Sequence, residues 1–403
     1  MRKSSPWNRR DFLQAMGCSS LSLMNTRLAW TMGTPKPVEP RFAYVSYDGT
    51  GSTMGSDPNQ GIQVFAVEGG CWKKVQAVAS ERPTFLALHP NQQFLYAINE
   101  VDSYQCLPSG VVEAFSIDPL NGHLTLLNRQ PLALSATSPR HMAIAPDGSA
   151  VVIAVHGGGS YNVLPIKSNG ELERVSGILK EIGASVDEEH QTAAHPQMVM
   201  FDPTGNRLLG ADLGSDRLSV FTLTGDKLAT HERNSSRAGS GPSQMALHPD
   251  GHLLFVANGL ESSVMCYRYD AKDGRILDQL EHVSTLQSGA KTKAAVAMSM
   301  HPSGNFLYTV NRHVGSNRSS GDGVTLWRVH AGTGSLTPVQ FEAEGIQGVH
   351  SMVSSTDGRS LLLLSHKRNG VLRLRIDPAS GRMSELTQVA KASSPISLAM
   401  KYV

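Results

Sequence analysis

The sequence predicts an all-β fold, a seven-bladed β-propeller of four-stranded antiparallel blades. Three observations predict it: a segment of about fifty residues recurs six times, each copy pairs two apolar runs around a tight turn, and the two chain ends supply complementary strands. The chain has 403 residues, 40% hydrophobic and 17% charged, which is enough apolar content for one large domain of this kind.

The six repeats align on their turns. These turns are centred, 46 to 57 residues apart, on Pro90, Pro146, Pro203, Pro249, Pro302 and Thr356. A Pro-Asp-Gly or Pro-Ser-Gly turn between alternating apolar runs predicts a β-hairpin. Each copy continues into a third run, such as GVVEAFSID or GVTLWRVH, and then a weaker fourth run, so each repeat supplies four strands.

The seventh blade is predicted to draw on both ends of the chain. RFAYVSY, GIQVFAV and CWKKVQAV match second, third and fourth strands, whereas the C-terminal PISLAMKYV matches a first strand. Pairing the two ends would close the ring and remove its exposed edges. A parallel β-helix and a sandwich are the alternatives, but neither explains a four-strand repeat whose missing strand comes from the far end.

Residues 1–33 are predicted to be an export signal and linker, and residues 34–403 the propeller. A twin arginine, Arg9-Arg10, precedes an apolar stretch to Met24 that is too short to span a bilayer. We therefore expect a periplasmic monomer, exported by the twin-arginine pathway, with no membrane attachment after processing. The net charge of +2 without a concentrated basic segment disfavours a nucleic-acid partner.

The sequence predicts neither a metal centre nor a cofactor. Cys71, Cys106 and Cys266 have no zinc-site spacing and allow at most one disulfide, with pairing of Cys71 and Cys106 left open. The acidic cluster 187–190 is interpreted as a solvated loop. The alternative is a divalent ion that binds weakly in the funnel, the opening at the centre of the predicted ring. A dinucleotide-dependent dehydrogenase is disfavoured, because no GxGxxG lies between a strand and a helix.

Function is predicted at one end of the ring. Because the first and second strands of a blade meet at the Pro-x-Gly turn, the segments that flank this hairpin lie together at the opposite end. The longest insertions, 101–109, 182–194 and 313–322, also fall there. The polar residues predicted on this face are Asn99, Glu100, Arg140, His141, His156, His195, Asp212, Asp216, Asn258, Asn311, Arg312, His350 and His366.

Motifs along residues 41–403 resemble those of one family. They are LYAINE, GGGSYNVLPI, HPQMVMFDPTGNRLLGADLGSDRLSVF, GSGPSQMALHPDGHLLFVANGLESSV and FLYTVNR. On these motifs the chain resembles the seven-bladed propeller lactonases of the 6-phosphogluconolactonase type, which are related to the carboxy-muconate cyclases. The resemblance implies lactone hydrolysis in the funnel, where His195 matches the His before the DPTG hairpin and Arg312 matches the Arg of the NR pair.

The sequence departs from the family pattern in one repeat. Ser243 and Gln244 stand where the GPRH motif has Arg and His, and Gly259 stands where the NEL motif has Glu. Lactone hydrolysis needs a base that activates water and donors that stabilise the oxyanion. These losses favour an alternative function, a noncatalytic propeller that binds a ligand or a protein through the same funnel.

For the enzymatic interpretation, His195, Glu100 and Arg312 are the predicted catalytic residues, with His195 or Glu100 as the base. The residues expected to bind substrate are Arg140, His141, Asp212, Asn311 and His350. For Asp212 taken alone, capping of its own turn is the stronger expectation. The expected partner is a small lactone or sugar acid, and export favours a free sugar lactone over a phosphorylated one. A lactonising isomerase is a third alternative function.

Overall fold

Seven four-stranded antiparallel sheets form a ring in the computed structural model of the protein. The structure describes residues 40–47, 61–286, 294–313 and 322–402, and only the backbone of residues 294–296 and 312–313. The predicted seven-bladed propeller is thereby confirmed. The predicted export signal and most of the insertion 313–322 lie outside the described residues.

The strands are numbered in chain order, and each blade is given from its innermost strand outward. Blade 1 contains β4 (Pro83–Leu88), β5 (Phe94–Asn99), β6 (Val111–Ile117) and β7 (Leu124–Pro131). Blade 2 contains β8 (Pro139–Ile144), β9 (Ala150–Val155), β10 (Ser160–Pro165) and β11 (Gly177–Lys180). Blade 3 contains β12 (Pro196–Phe201), β13 (Leu208–Asp212), β14 (Arg217–Thr224) and β15 (Lys227–Ser235).

The remaining blades follow the same order. Blade 4 contains β16 (Pro242–Leu247), β17 (Leu253–Asn258), β18 (Ser263–Asp270) and β19 (Arg275–Ser284). Blade 5 contains β20 (Ala294–Met300), β21 (Phe306–His313), β22 (Gly323–His330) and β23 (Ser335–Glu342). Blade 6 contains β24 (Val349–Ser354), β25 (Ser360–Ser365), β26 (Gly370–Ile376) and β27 (Met383–Lys391). Blade 7 combines β28 (Pro395–Lys401) with β1 (Phe42–Tyr47), β2 (Ile62–Glu68) and β3 (Cys71–Val78).

Burial explains why the fourth strand of each repeat is the weakest in the sequence. Every residue of the second strands β9 and β17 is buried, since both faces of these strands pack against neighbouring blades. The outermost strand β15 alternates between exposed and half-buried residues along its whole length. Because only one face of an outer strand packs on the core, its apolar pattern is diluted by polar residues. No helix long and apolar enough to span a bilayer occurs in the described part of the chain.

Buried tyrosines connect neighbouring blades. The hydroxyl of Tyr96 in blade 1 donates to the Gly170 carbonyl of blade 2 at 3.0 Å. Tyr308 in blade 5 makes the same bond to Gly381 of blade 6 at 2.8 Å. Burial raises the pKa of both hydroxyls, so they stay protonated and able to donate. These bonds satisfy polar groups inside the contact between blades.

The ring closes between the two ends of the chain. Strand β28 pairs antiparallel with β1, with Phe42 opposite Lys401 at one end and Tyr47 opposite Pro395 at the other. Ser397 continues the connection into blade 1, because its hydroxyl oxygen accepts a hydrogen bond from the Leu86 amide at 3.0 Å. The predicted supply of a missing first strand by the C-terminus is confirmed.

Removal of residues 395–403 should abolish cooperative unfolding of the propeller. The truncation deletes β28, exposes the edge of β1 and uncovers apolar residues of the two neighbouring blades. Thermal melts followed by circular dichroism provide the test. Coincident melting curves for the full and truncated chains would contradict ring closure by β28.

Gly205→Val should lower the free energy of unfolding by about 1–3 kcal/mol. Gly205 has a φ of +72° in the hairpin of blade 3, and an added Cβ would lie 3.0 Å from Cγ of Pro146 in blade 2. Gly332→Val is the matched control, because Gly332 has no positive φ and no atom within 4 Å of its added Cβ. Urea denaturation of both variants measures the difference, and equal losses would argue against strain at Gly205.

Candidate functional site

A cavity of about 780 Å³ opens at the centre of the ring, at the end predicted to carry function. The innermost strands of all seven blades contribute to its wall. Glu100, Leu213 and Gly259 reach it from the loops that follow second strands, and Asp187 and His190 reach it from the insertion 182–194. The cavity is therefore formed by the segments that the repeat geometry places at this end.

Six of the seven innermost strands contain a β-bulge at their second residue. The partner strand skips this residue, whereas β20 of blade 5 pairs with β21 without a shift. The bulged residues are Thr84, Arg140, Gln197, Ser243, His350 and Ile396, and all six line the cavity. A bulge releases one residue from the pleat and redirects its side chain. A proline precedes the bulge in five of these strands. Proline has no backbone N–H, so it fits where the hydrogen-bond ladder between the two strands is interrupted.

Glu100 lies between two arginines at the wall formed by blades 1 and 2. Its carboxylate is 3.0 Å from Nη1 of Arg140 and 3.8 Å from Nη2 of Arg82. The Glu100 side chain is only 12% exposed, and all three residues line the cavity. The structure thus brings together the predicted Glu100 and Arg140. Sequence reasoning missed Arg82, whose only signal is its place directly before Pro83.

His195 and His156 stack on each other behind the cavity wall. Their rings are 4.3 Å apart and nearly parallel, at 16°. Nδ1 of His195 donates to the His156 carbonyl at 3.0 Å, and Nε2 of Gln197 donates to Nδ1 of His156 at 2.6 Å. Gln197 lines the cavity, and the two histidines do not. The predicted catalytic His195 therefore lies behind Gln197 and is not part of the cavity wall.

Burial keeps two of the histidines of blade 2 neutral. The pKa of His156 falls to about 4, first through burial and then through the charges of Arg140 and His195. Burial also lowers the pKa of His141 to about 4, against the opposing effect of a hydrogen bond to the Val199 backbone in blade 3. The ring of His141 borders the cavity, but its Nδ1 is buried. His141 therefore connects blades 2 and 3.

His350 occupies the bulge of blade 6, across the ring from blade 2. It lines the cavity, and its ring meets that of His366 edge-on at 4.9 Å. The structure thus places His350 in the cavity wall, as the sequence predicted, but not beside Arg140 and Glu100. Arg312 has no described side chain, and its role stays a prediction.

Asp212 and Asn311 are buried near strand ends and do not line the cavity. Oδ1 of Asp212 accepts three backbone hydrogen bonds, from His195 at 2.7 Å, Gly214 at 2.9 Å and Ser215 at 3.2 Å. Burial raises the pKa of this carboxyl. Nδ2 of Asn311 donates to the Thr285 carbonyl. Both side chains anchor loops, and the expectation that Asp212 caps its own turn describes these contacts better than substrate binding does.

The wall of blade 4 carries neutral side chains. The hydroxyl of Ser243 donates to the Ala257 carbonyl at 3.1 Å, and Oε1 of Gln244 accepts from the Met298 amide of blade 5 at 2.8 Å. A Cβ added at Gly259 would lie 3.3 Å from Oγ of Ser243. The absence of a side chain at Gly259 therefore leaves Ser243 open to the cavity.

The described residues contain neither a metal-binding cluster nor a disulfide. There, no three His, Cys, Asp or Glu side chains are arranged to hold a metal ion, and Cys71, Cys106 and Cys266 are free thiols. Asp187 accepts from the backbone amides of Glu189 and His190, at 3.0 and 2.9 Å. These bonds lower the pKa of Asp187 and make the cluster 187–190 a self-capped turn at the cavity mouth.

Fold and cavity together define a seven-bladed propeller with a central cavity. The family of seven-bladed β-propeller lactonases matches this chain over residues 49–400, and the chain belongs to that family. The 6-phosphogluconolactonase of Bacillus subtilis is 25% identical over 356 residues, covering 88% of this chain and 97% of that protein. The 6-phosphogluconolactonase of Formosa agariphila is 24% identical over 360 residues, covering 87% and 98%.

Two solved structures show the same architecture. A protein from Bacteroides fragilis superposes with a TM-score of 0.77 at 26% identity, covering 92% of this chain and 99% of that chain. A periplasmic gluconolactonase from Pseudomonas aeruginosa also has a TM-score of 0.77, at 22% identity, covering 89% and 98%. The similarity extends over nearly the whole described propeller.

The free energy of unfolding should decrease as the pH falls from about 6.5 to about 4. In this window the unfolded chain binds protons at His141 and His156 that the folded chain does not bind, so protonation favours unfolding. The loss reaches at most about 3 kcal/mol per histidine. His156→Gln should reduce this dependence, whereas His231→Gln on the exposed face of β15 should not. Urea denaturation at pH 7 and pH 4.5 compares them, and an unchanged dependence in His156→Gln would contradict the neutral state of His156.

Proposed function

We propose that this protein is a lactone hydrolase that opens a small sugar lactone in the central cavity. Membership in the lactonase family and the names of its 6-phosphogluconolactonase relatives support this reaction class. The observation that carries the proposal is the position of Glu100 between Arg82 and Arg140 at the cavity wall. This group combines a proton acceptor with two cationic hydrogen-bond donors.

The proposed reaction uses Glu100 as the base. Its carboxylate takes a proton from a water molecule while the water oxygen attacks the lactone carbonyl carbon. Arg140 and Arg82 stabilise the negative charge that develops on the carbonyl oxygen. The bond between the acyl carbon and the ring oxygen then breaks, the ring oxygen receives the proton from Glu100, and a hydroxy acid leaves the site.

Two predicted catalytic residues have different places in this mechanism. Arg312 is proposed as a further donor to the carbonyl oxygen, on the strength of its sequence motif. His195 acts on the substrate indirectly, because the stack of His195 and His156 lies behind Gln197. Its proposed role is to hold that part of the wall in place.

We further propose that the substrate carries no phosphate. A phosphoryl group is recognised by clustered cations, and the described arginines of the cavity, Arg82 and Arg140, already share Glu100. The wall of blade 4 offers Ser243 and Gln244, which are neutral. The twin arginine at positions 9 and 10 supports export to the periplasm, where free sugar lactones are the suitable substrates.

A second candidate function is ligand binding without turnover. It is favoured by the wall of blade 4, where Gln244 is engaged with Met298 of the next blade and Gly259 has no side chain. A binding propeller needs the polar cavity but no proton acceptor. The two functions therefore differ in whether Glu100 is required for chemistry or only for the shape of the site.

Purified protein should hydrolyse glucono-δ-lactone faster than this lactone hydrolyses spontaneously. It should also hydrolyse glucono-δ-lactone faster than it hydrolyses 6-phosphogluconolactone at equal concentration. Glu100→Gln and Arg140→Ala should each lower kcat/KM by about 100-fold or more, because they remove the base and an oxyanion donor. Proton release in weakly buffered solution measures the rate.

The matched controls are Glu385→Gln and Arg375→Ala, which alter an exposed ion pair of blade 6 at 3.3 Å. Both controls should retain full activity. Turnover that survives Glu100→Gln would exclude Glu100 as the base. Absence of turnover on both lactones by folded wild-type protein would favour the binding propeller.

A further inference from the structure

Adjacent residues of the innermost strands have different tasks. The residue that follows the bulge contacts the next blade: Met198 Sδ lies 3.1 Å from the Met245 amide. Gln244 and Ser397 accept from backbone amides of the next blade in the same way. Side chains at this position are held by packing between blades. The preceding bulged residue has no strand partner and lines the cavity, so it is the position available to a ligand.

The bulged residues of four consecutive blades are polar. Thr84, Arg140, Gln197 and Ser243 come from blades 1 to 4, whose innermost strands are neighbours around the ring. Oγ1 of Thr84 lies 3.5 Å from the Pro139 carbonyl, and Oγ of Ser243 donates to Ala257. A hydroxyl that donates its proton to the protein presents oxygen lone pairs to a ligand.

Gln197 is fixed in orientation by the histidine stack. Its Nε2 donates both of its hydrogens, one to Nδ1 of His156 at 2.6 Å and one to the His195 carbonyl at 3.5 Å, and His156 stacks on His195. The amide oxygen is therefore the polar atom of Gln197 that remains for a ligand. Thr84, Gln197 and Ser243 all present acceptors, while Arg140 presents donors.

We propose that Thr84, Gln197 and Ser243, together with Arg140, form a hydrogen-bonding arc that determines specificity for polyhydroxylated ligands. The inference rests on the proposed function and adds which residues recognise the hydroxyl groups of the sugar lactone. Acceptors arranged along one side of the cavity match the protons of neighbouring hydroxyl groups. A lactone without hydroxyl groups leaves these acceptors without partners, which costs binding free energy.

The test is direct binding of glucono-δ-lactam, a ring amide that the protein cannot hydrolyse as a lactone. Isothermal titration calorimetry should show that Ser243→Ala and Gln197→Met each weaken binding about 3- to 10-fold, the value of one hydrogen bond. Ser351→Ala is the matched control, because Ser351 also lines the cavity but follows the bulge of blade 6. It should change binding less than about 2-fold. δ-Valerolactam, which has no hydroxyl groups, should bind wild-type protein at least about 10-fold more weakly than glucono-δ-lactam.

Kinetics with glucono-δ-lactone separates this inference from the proposed function. In Ser243→Ala and Gln197→Met, KM should rise while kcat changes less, because these contacts exist before the reaction begins. Equal binding by Ser243→Ala and Ser351→Ala, or no binding of glucono-δ-lactam by folded wild-type protein, overturns the arc even if turnover is normal. Binding that depends on Ser243 and Gln197 in a protein without turnover supports the arc and overturns the hydrolase.

Discussion

The fold and its cavity depend on closure of the ring by β28. This strand is innermost in blade 7, pairs with β1 and contacts blade 1 through the bond between Ser397 and the Leu86 amide. Each innermost strand has a neighbour on both sides only in a closed ring, and these seven strands supply most of the cavity wall. Closure therefore determines the position of the strand residues that line the cavity as well as the stability of the propeller.

Within this ring, the same short segments hold the blades together and face the ligand. In blade 4, Ser243 faces the cavity while the next residue, Gln244, accepts from Met298 of blade 5. In blade 3, Gln197 faces the cavity while Met198 contacts the Met245 amide. Rigid contacts at one position thus fix the geometry of the position before it, which pre-organises the site.

The fold could be predicted from the sequence because six of the seven blades contain the same type of hairpin turn. Gly205 and its equivalents adopt positive φ, and the apolar runs on either side are buried. Sequence reasoning could also reach Glu100 and Arg140, because both flank a hairpin at the same end of the ring. It could not separate them from Asp212 and Asn311, since the sequence does not show which polar side chain turns inward to bond backbone amides or carbonyls. Gln197 was missed because its role depends on a contact with His156 of the neighbouring blade. Arg82 was missed because the sequence does not show that it meets Glu100 across the hairpin of its own blade.

The bulges also bear on how such a site can change over time. A residue in the regular pleat is constrained by the packing of the blade on each side, so most substitutions there reduce stability. The bulged residue lies outside the regular pleat, and the variety from Ile396 to Arg140 at equivalent positions shows that different side chains fit there. A propeller of this kind can therefore acquire a new ligand preference through single substitutions at six equivalent positions while its scaffold is inherited intact. Stability and specificity are then largely separate targets of selection within one chain.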